Sequence, residues 1–164
     1  MPASPAKVTC WPPIAQPRRV SSDSPRVITA ERVLSPVPWA GLPWEPDYGA
    51  GLNAELDRVR AALACTPLLV ISGDLPLLTA GDVRLLLAGA GEQDVAIAPD
   101  RHGQGTNAIA LHDARPFAFS FGERSFARHF AAAQGAAIIR DHPGLAFDLD
   151  TPADLDDARR LGWA

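Results

Sequence analysis

The hydrophobic pattern changes character near residue 48. From Gly49 onward, Leu52, Leu56, Val59 and Leu63 recur at helical spacing, and the apolar run Leu68, Leu69, Val70 and Ile71 follows, stopping at Ser72-Gly73-Asp74. This predicts a helix feeding a buried strand. Thr79 or Asp82 caps a second helix, and residues 95–98 supply a second buried strand. The alternation continues with a strand at 107–111, a helix at 124–133, a short strand at 136–139, a strand at 145–149 and a last helix at 152–161. Buried strands alternating with helices predict an α/β domain of three layers, with a mainly parallel sheet covered on both faces.

Residues 1–48 carry a different pattern. Ten of the sixteen prolines and three of the four tryptophans (Trp11, Trp39 and Trp44) lie before Asp47, with one glycine, Gly41. Proline removes ladder donors and blocks helix interiors, so this stretch reads as an irregular arm holding at most short strands near 20–22 and 27–30. The expected division is an arm over 1–48 and a core domain over 49–164.

Composition narrows the class of partner. At 164 residues the chain accommodates one ordinary domain, and a net charge of −4 with a pI near 5.5 supplies no basic field, so nucleic acid is not an expected partner. Lys7 is the single lysine against fourteen arginines, so an anionic ligand would be met by arginine or by a metal. Cys10 and Cys65 form no framework for zinc or disulfides, which fits a reducing cytoplasm. His102, His112, His129 and His142 have no metal-ligand spacing and are expected at the surface or hydrogen-bonded. Apolar runs fall short of the roughly 18 residues a membrane span needs, so a soluble, cytoplasmic chain with no membrane partner is expected.

Candidate chemistry clusters at strand ends. Asp74, in Ser72-Gly73-Asp74-Leu75-Pro76, follows a buried strand directly, where open α/β sheets bind ligands; it is a metal-ligand candidate as well as a turn former. In Phe147-Asp148-Leu149-Asp150-Thr151-Pro152, period-2 alternation puts Asp148 and Asp150 on one face, able to share a hard cation such as magnesium. Thr151, Pro152 and Asp154 read as a capping box. Between these segments, Gly103 and Gly105 permit close backbone approach, and Thr106 and Asn107 offer hydrogen bonds to a ligand, although a bare turn between strands has the same pattern. In Phe121-Gly122-Glu123-Arg124-Ser125, Ser125 either caps a helix or joins its N-terminus in holding an anion.

Five ordered segments carry a resemblance to a known family: Gly51-Leu52-Asn53-Ala54; Ile71-Ser72-Gly73-Asp74-Leu75-Pro76; the stretch Ala98-Pro99-Asp100-Arg101-His102-Gly103 continuing to Gly105-Thr106-Asn107; Phe121-Gly122 with Ser125-Phe126 and Arg128-His129; and Asp148-Leu149-Asp150-Thr151-Pro152. Together they resemble the 2-phospho-L-lactate guanylyltransferase family, which includes phosphoenolpyruvate guanylyltransferases. The likeness covers about residues 49–161, with a weaker echo at Val20-Ser21-Ser22-Asp23.

The resemblance implies a Rossmann-like nucleotidyltransferase fold and transfer of GMP from GTP to a small phospho-acid, with release of pyrophosphate, in coenzyme F-420 biosynthesis. By matching position, Asp74 and one of Asp148 or Asp150 would hold magnesium, with Asp74 and Asp150 as the catalytic acids. Thr106, Gly122 and Ser125 would hold the acceptor, and Gly51 and Asn53 would lie near the nucleotide. Two departures stand out. Gly122-Glu123-Arg124-Ser125 replaces the usual glycine-proline-glycine-serine loop, and Met1 to Arg19 show no strand with a lysine- and arginine-bearing loop for the triphosphate, so weak GTP binding is expected. The alternatives are a molybdopterin-type nucleotidyltransferase, which lacks these acceptor-loop motifs, and a catalytically impaired homologue that only binds a ligand or another chain.

Overall fold

The computed structural model describes residues 6–10, 27–29, 44–46, 48–63, 68–112 and 116–163. The elements in chain order are β1 (Ala6–Cys10), β2 (Val27–Thr29), β3 (Trp44–Pro46), α1 (Leu52–Leu63), β4 (Leu68–Ser72), α2 (Ala80–Gln93), β5 (Val95–Pro99), β6 (Thr106–Leu111), α3 (Ser125–Ala133), β7 (Ala137–Ile138), α4 (Pro143–Ala146) and α5 (Pro152–Arg160). The principal sheet has the order β1-β4-β6-β5-β7, and β2 pairs with β3 in a separate two-stranded ribbon. The expected strand near 20–22 lies outside the described residues, as does Cys65.

The two faces of the sheet follow directly from period-2 alternation. Leu68 and Val70 of β4, Val95 and Ile97 of β5, and Ile109 and Leu111 of β6 pack with Leu56 and Val59 of α1 and Ala133 of α3. Their alternates, Leu69 and Ile71, Ala96 and Ala98, Ala108 and Ala110, pack with Leu86 and Ala90 of α2 and Leu145 of α4. Helices therefore cover both faces, giving the expected three-layer α/β arrangement.

The direction of the strands is less parallel than the alternation with helices suggested. β4 pairs antiparallel with β1 and β6, β5 pairs antiparallel with β6, and the β5–β7 pairing is parallel. β4, β5 and β7 thus share one direction, while β6 runs against them between β4 and β5. The cause is the connection: residues 100–105 join β5 to β6 without a crossover helix, and a short glycine-containing loop returns the chain antiparallel. Ala6–Cys10, a proline-free stretch inside the proline-rich arm, adds an edge strand beside β4 that the sequence reading did not foresee.

A second correction concerns residues 145–149. They form no strand: α4 ends at Ala146, and residues 147–150 have no regular structure. Pro143 at the first helical turn and the intrahelical bond from Phe147 N to Pro143 O at 3.1 Å favour a short helix over the apolar-alternating strand. Asp148 and Asp150 are therefore not set on one face by strand alternation.

The alanine-lined face brings α2 close to the sheet. A Cβ placed on Gly89 would sit 3.0 Å from the Ala137 Cβ and 3.3 Å from the Ala96 Cβ. Gly89→Leu is expected to lower stability by about 1–3 kcal/mol through overpacking, measured by urea denaturation. An unchanged denaturation midpoint would contradict this packing.

Candidate active site

The carboxyl ends of β4 and β5 and the amino end of β6 meet at one edge of the sheet, which brings Asp74, Asp100, Thr106 and Asn107 into one neighbourhood. Asp100 organises the loop beyond β5. Its carboxylate accepts from the backbone N–H groups of His102 (3.0 Å), Gln104 (2.9 Å) and Gly105 (2.7 Å). A Cβ on Gly105 would lie 2.8 Å from Asp100 Oδ2, so glycine is required there by close approach.

The pairing of β5 with β6 slips by one residue beside this loop: Ala98 faces Ala108, but Pro99 faces Thr106. The extra residue in β6 is a bulge, and it inverts the alternation of the two residues that precede Ala108. Thr106 turns to the α3 side, where its Oγ1 lies 2.9 Å from His129 Nδ1 and 3.3 Å from Ser125 Oγ. Asn107 turns to the α4 side, where its amide donates to the carbonyls of Leu145 (3.1 Å) and Ala146 (3.3 Å). The Asn107 amide thus ties α4 to the sheet.

Gly122 and Ser125 sit across from this loop. Phe126 N donates to Gln104 O at 3.1 Å, joining the start of α3 to the Asp100 loop. Asn53 of α1 clamps the backbone of Phe121 on both sides, donating to its carbonyl (3.1 Å) and accepting from its N–H (2.7 Å). Gly51, with φ +90, opens α1, and the buried Glu55 accepts from Tyr48 N (3.0 Å) and Ala50 N (3.4 Å) and pairs with Arg58 (2.8 Å). The bond from Arg58, ahead of these backbone donors, holds the Glu55 carboxyl below its ordinary range. Ser125 does not cap α3. The cap position is Arg124, in the left-handed region at φ 53 with no side-chain cap bond, and Ser125 is the first helical residue.

Asp100, Gln104, Gly105, Gly122, Glu123 and Arg124 line an open cavity of about 620 Å³. Arg128 reaches the same loop, donating to Glu123 O, with its Nη2 3.7 Å from where a Cβ on Gly122 would lie. A second cavity, of about 480 Å³, lies on the other side of Asp100, lined by Arg101, Arg140, Asp141, His142 and Phe147 among others.

The acids of the edge are drawn together by backbone. Leu149 N donates to Asp74 O at 3.1 Å, setting residues 148–150 beside the end of β4. Asp74 Oδ1 is buried and has no hydrogen-bond partner among the described residues. Burial first, and then the carboxylates of Asp150 and Asp100, push the Asp148 carboxyl up, against the opposing pull of its own backbone N–H and Arg101. Asp150 is exposed, and its N–H donates to Asp154 Oδ2 at 3.1 Å. Among the described residues no three His, Cys, Asp or Glu side chains are grouped as metal ligands. The orphaned Asp74 Oδ1 is compatible with a hard cation that takes one or two protein acids and keeps positions for phosphate oxygens.

Three residues of this edge carry roles that sequence reasoning missed. Asp154, expected only as a capping residue, does complete the α5 box with Thr151, and it also accepts from Arg101 at 2.5 Å. The Thr151 hydroxyl, then Arg101, hold its carboxyl down at about 2. Arg101 in turn lies over the Phe147 ring, 4.6 Å from its centroid. His129 is fully buried, its Nε2 accepting from Ser120 N at 2.8 Å. Burial, with Arg128 adding to it, lowers its pKa to about 4. The general expectation of a hydrogen-bonded histidine holds for His129; its burial on α3 was signalled only by its helical spacing from Ala133.

A histidine whose folded pKa lies below the unfolded 6.5 opposes folding when protonated. Stability is therefore complete above pH 6.5 and falls as pH drops from 6.5 toward 4. The loss attributable to His129 is about 3 kcal/mol over that window. Urea denaturation across this range, comparing the wild type with His129→Phe, checks it; equal pH slopes would refute the assignment.

Comparison with known proteins adds a family to this geometry. The family model described as "Guanylyl transferase CofC like" matches residues 45–159. A protein of Sphaerobacter thermophilus named phosphoenolpyruvate guanylyltransferase is 44% identical over 117 residues, covering 69% of this chain and 56% of the relative. Proteins with the same name from Chloroflexus aggregans and Rubrobacter xylanophilus are each 41% identical, over 68% and 83% of this chain and 58% and 67% of the relatives. The chain spans a little over half the length of the first two.

Proposed function

Since the chain belongs to the CofC-like guanylyl transferase family, we propose that it supplies the acceptor side of a site that transfers GMP from GTP to a small phospho-acid, phosphoenolpyruvate or 2-phospho-L-lactate, in coenzyme F-420 biosynthesis. The observation that carries this reading is the convergence of separate segments on one cavity: Asp100 to Gly105 from the β5–β6 loop and Gly122 to Arg124 from the approach to α3. The relatives named phosphoenolpyruvate guanylyltransferase support the substrate class. Among the described residues no helix is long and apolar enough to cross a membrane.

The acceptor's charge is met by local groups. Asp100 spends its lone pairs on three backbone N–H groups of its own loop, which leaves Arg124 and Arg128 to set the field at Gly122 against Glu123. Thr106 and Ser125, the chain neighbours of the lining residues Gly105 and Arg124, supply hydroxyls. Asp74, with Asp148 or Asp150, would hold magnesium, which when bound supplies positive charge opposite the α-phosphate and the departing pyrophosphate. A phosphate oxygen of the acceptor attacks the α-phosphorus of GTP; the new P–O bond forms as the bond to the β-phosphate oxygen breaks. The acceptor phosphate is already ionised near neutral pH, so no side chain need remove a proton, and the residues of this edge act by positioning and charge.

Mass detection of the guanylylated acid, after incubation with GTP, magnesium and each phospho-acid in turn, tests the reading; absence of product with every acid counts against it. Asp74→Asn is expected to lower turnover at least ~10²-fold, and wild-type turnover in this variant would remove Asp74 from the site. Thr106→Val and Ser125→Ala are expected to raise KM for the phospho-acid more than KM for GTP. Equal shifts in both would contradict their place on the acceptor side.

A further inference from the structure

Proton counting along the buried chain Ser120–His129–Thr106–Ser125 fixes what the imidazole offers to Thr106. Ser120 N–H donates to His129 Nε2 (2.8 Å), so in the neutral ring Nε2 carries no proton and Nδ1 carries one. Nδ1–H then donates to Thr106 Oγ1 (2.9 Å). Ser125 Oγ lies 3.3 Å from the same oxygen, and either hydroxyl of that pair is able to donate to the other. A hydroxyl oxygen has two lone pairs, and the imidazole N–H fills one of them. The Thr106 O–H is then directed either to Ser125 Oγ or to an incoming ligand oxygen. The bulge at Pro99 has turned this hydroxyl away from α4, to a position next in the chain to Gly105 of the larger cavity.

We propose that His129 is a positioning residue that, by filling one lone pair of Thr106, biases its hydroxyl to donate and so favours an anionic oxygen of the acceptor over a group that must itself donate. This deepens the acceptor-site reading and rests on it. The imidazole is held for the task from its other sides: it stacks on Phe117 with ring centroids 5.8 Å apart and meets the Phe121 ring edge-on at 4.7 Å. Two rings and a backbone N–H leave Nδ1 one direction, toward Thr106. A purely space-filling aromatic at this position would need neither nitrogen, whereas both are bonded. An unfilled lone pair on Thr106, as results when Nδ1–H is removed, would let the hydroxyl turn inward or accept, and an incoming phosphate or carboxylate oxygen would then meet repulsion.

The test compares full-length wild type, His129→Asn, His129→Gln and His129→Phe by calorimetry with phosphoenolpyruvate, inorganic phosphate and GTP. Asn keeps an N–H donor at the Nδ1 position; Gln and Phe do not. Phosphoenolpyruvate affinity is expected to stay within about threefold of wild type for Asn and to fall about tenfold or more for Gln and Phe, with GTP affinity alike in all three. Loss that tracks thermal stability instead of the donor, or no loss in Gln and Phe while the wild type binds, overturns the positioning role alone. A wild type that binds neither phosphoenolpyruvate nor phosphate overturns the acceptor-site reading together with it. Nitrogen-15 NMR of the wild-type imidazole provides a readout that needs no variant to fold: protonated Nδ1 and bare Nε2 are expected, and the opposite tautomer refutes the proposal.

Discussion

One extra residue in β6, opposite the junction of Ala98 and Pro99, decides what the edge of this sheet can do. With unbroken register, Thr106 would share the face of Ala108 and Ala110 and point at α4, and Asn107 would point into the layer of α1 and α3. The slip exchanges them. Asn107 then anchors α4 through two carbonyls, and Thr106 joins His129 and Ser125 in a buried hydroxyl–imidazole cluster. A bulge costs ladder bonds, and here the Asp100 carboxylate offsets that cost by bonding three N–H groups of the adjoining loop.

The rest of the edge is tied to that loop by polar bonds of modest individual strength. Arg101 reaches Asp154 at the start of α5 and lies on Phe147; Arg101 N donates to Ala146 O at 2.9 Å; Phe126 N donates to Gln104 O at 3.1 Å. Each joins a different element to residues 100–105. Asp148 and Asp150 are held beside Asp74 by this set and by the bond from Leu149 N, with no strand to align them.

The sequence made the layers legible because both faces of β4, β5 and β6 are buried and their alternation is complete, from Leu68 against Leu69 to Ile109 against Ala110. The capping box at Thr151 was legible because hydroxyl and carboxylate stand three residues apart, and the cap of α2, left between Thr79 and Asp82, uses both residues. Strand direction was not, since a glycine-bearing connector of six residues and a crossover are told apart by what the loop bonds to, and Asp100 does that bonding through space. The short helix at 143–146 escaped because Leu145, Phe147 and Leu149 alternate as a strand would, while Pro143 and the carbonyl of His142 close a helical turn. Of the candidate site, Asp74, Thr106, Gly122 and Ser125 were named from motif matching, while the contact of Thr106 with His129 needed the bulge to be seen.

The central claim is that a small anionic acceptor binds between residues 104–106 and 122–125. Backbone amide NMR of the full chain, titrated with phosphoenolpyruvate in the presence of magnesium, tests it most directly. The account predicts the largest shifts at Gly105, Thr106, Gly122 and Ser125, with smaller ones at Asp74. Shifts confined to Arg140, Asp141, Ala146 and Phe147 would move the ligand to the smaller cavity and contradict it, as would a spectrum that phosphoenolpyruvate leaves unchanged.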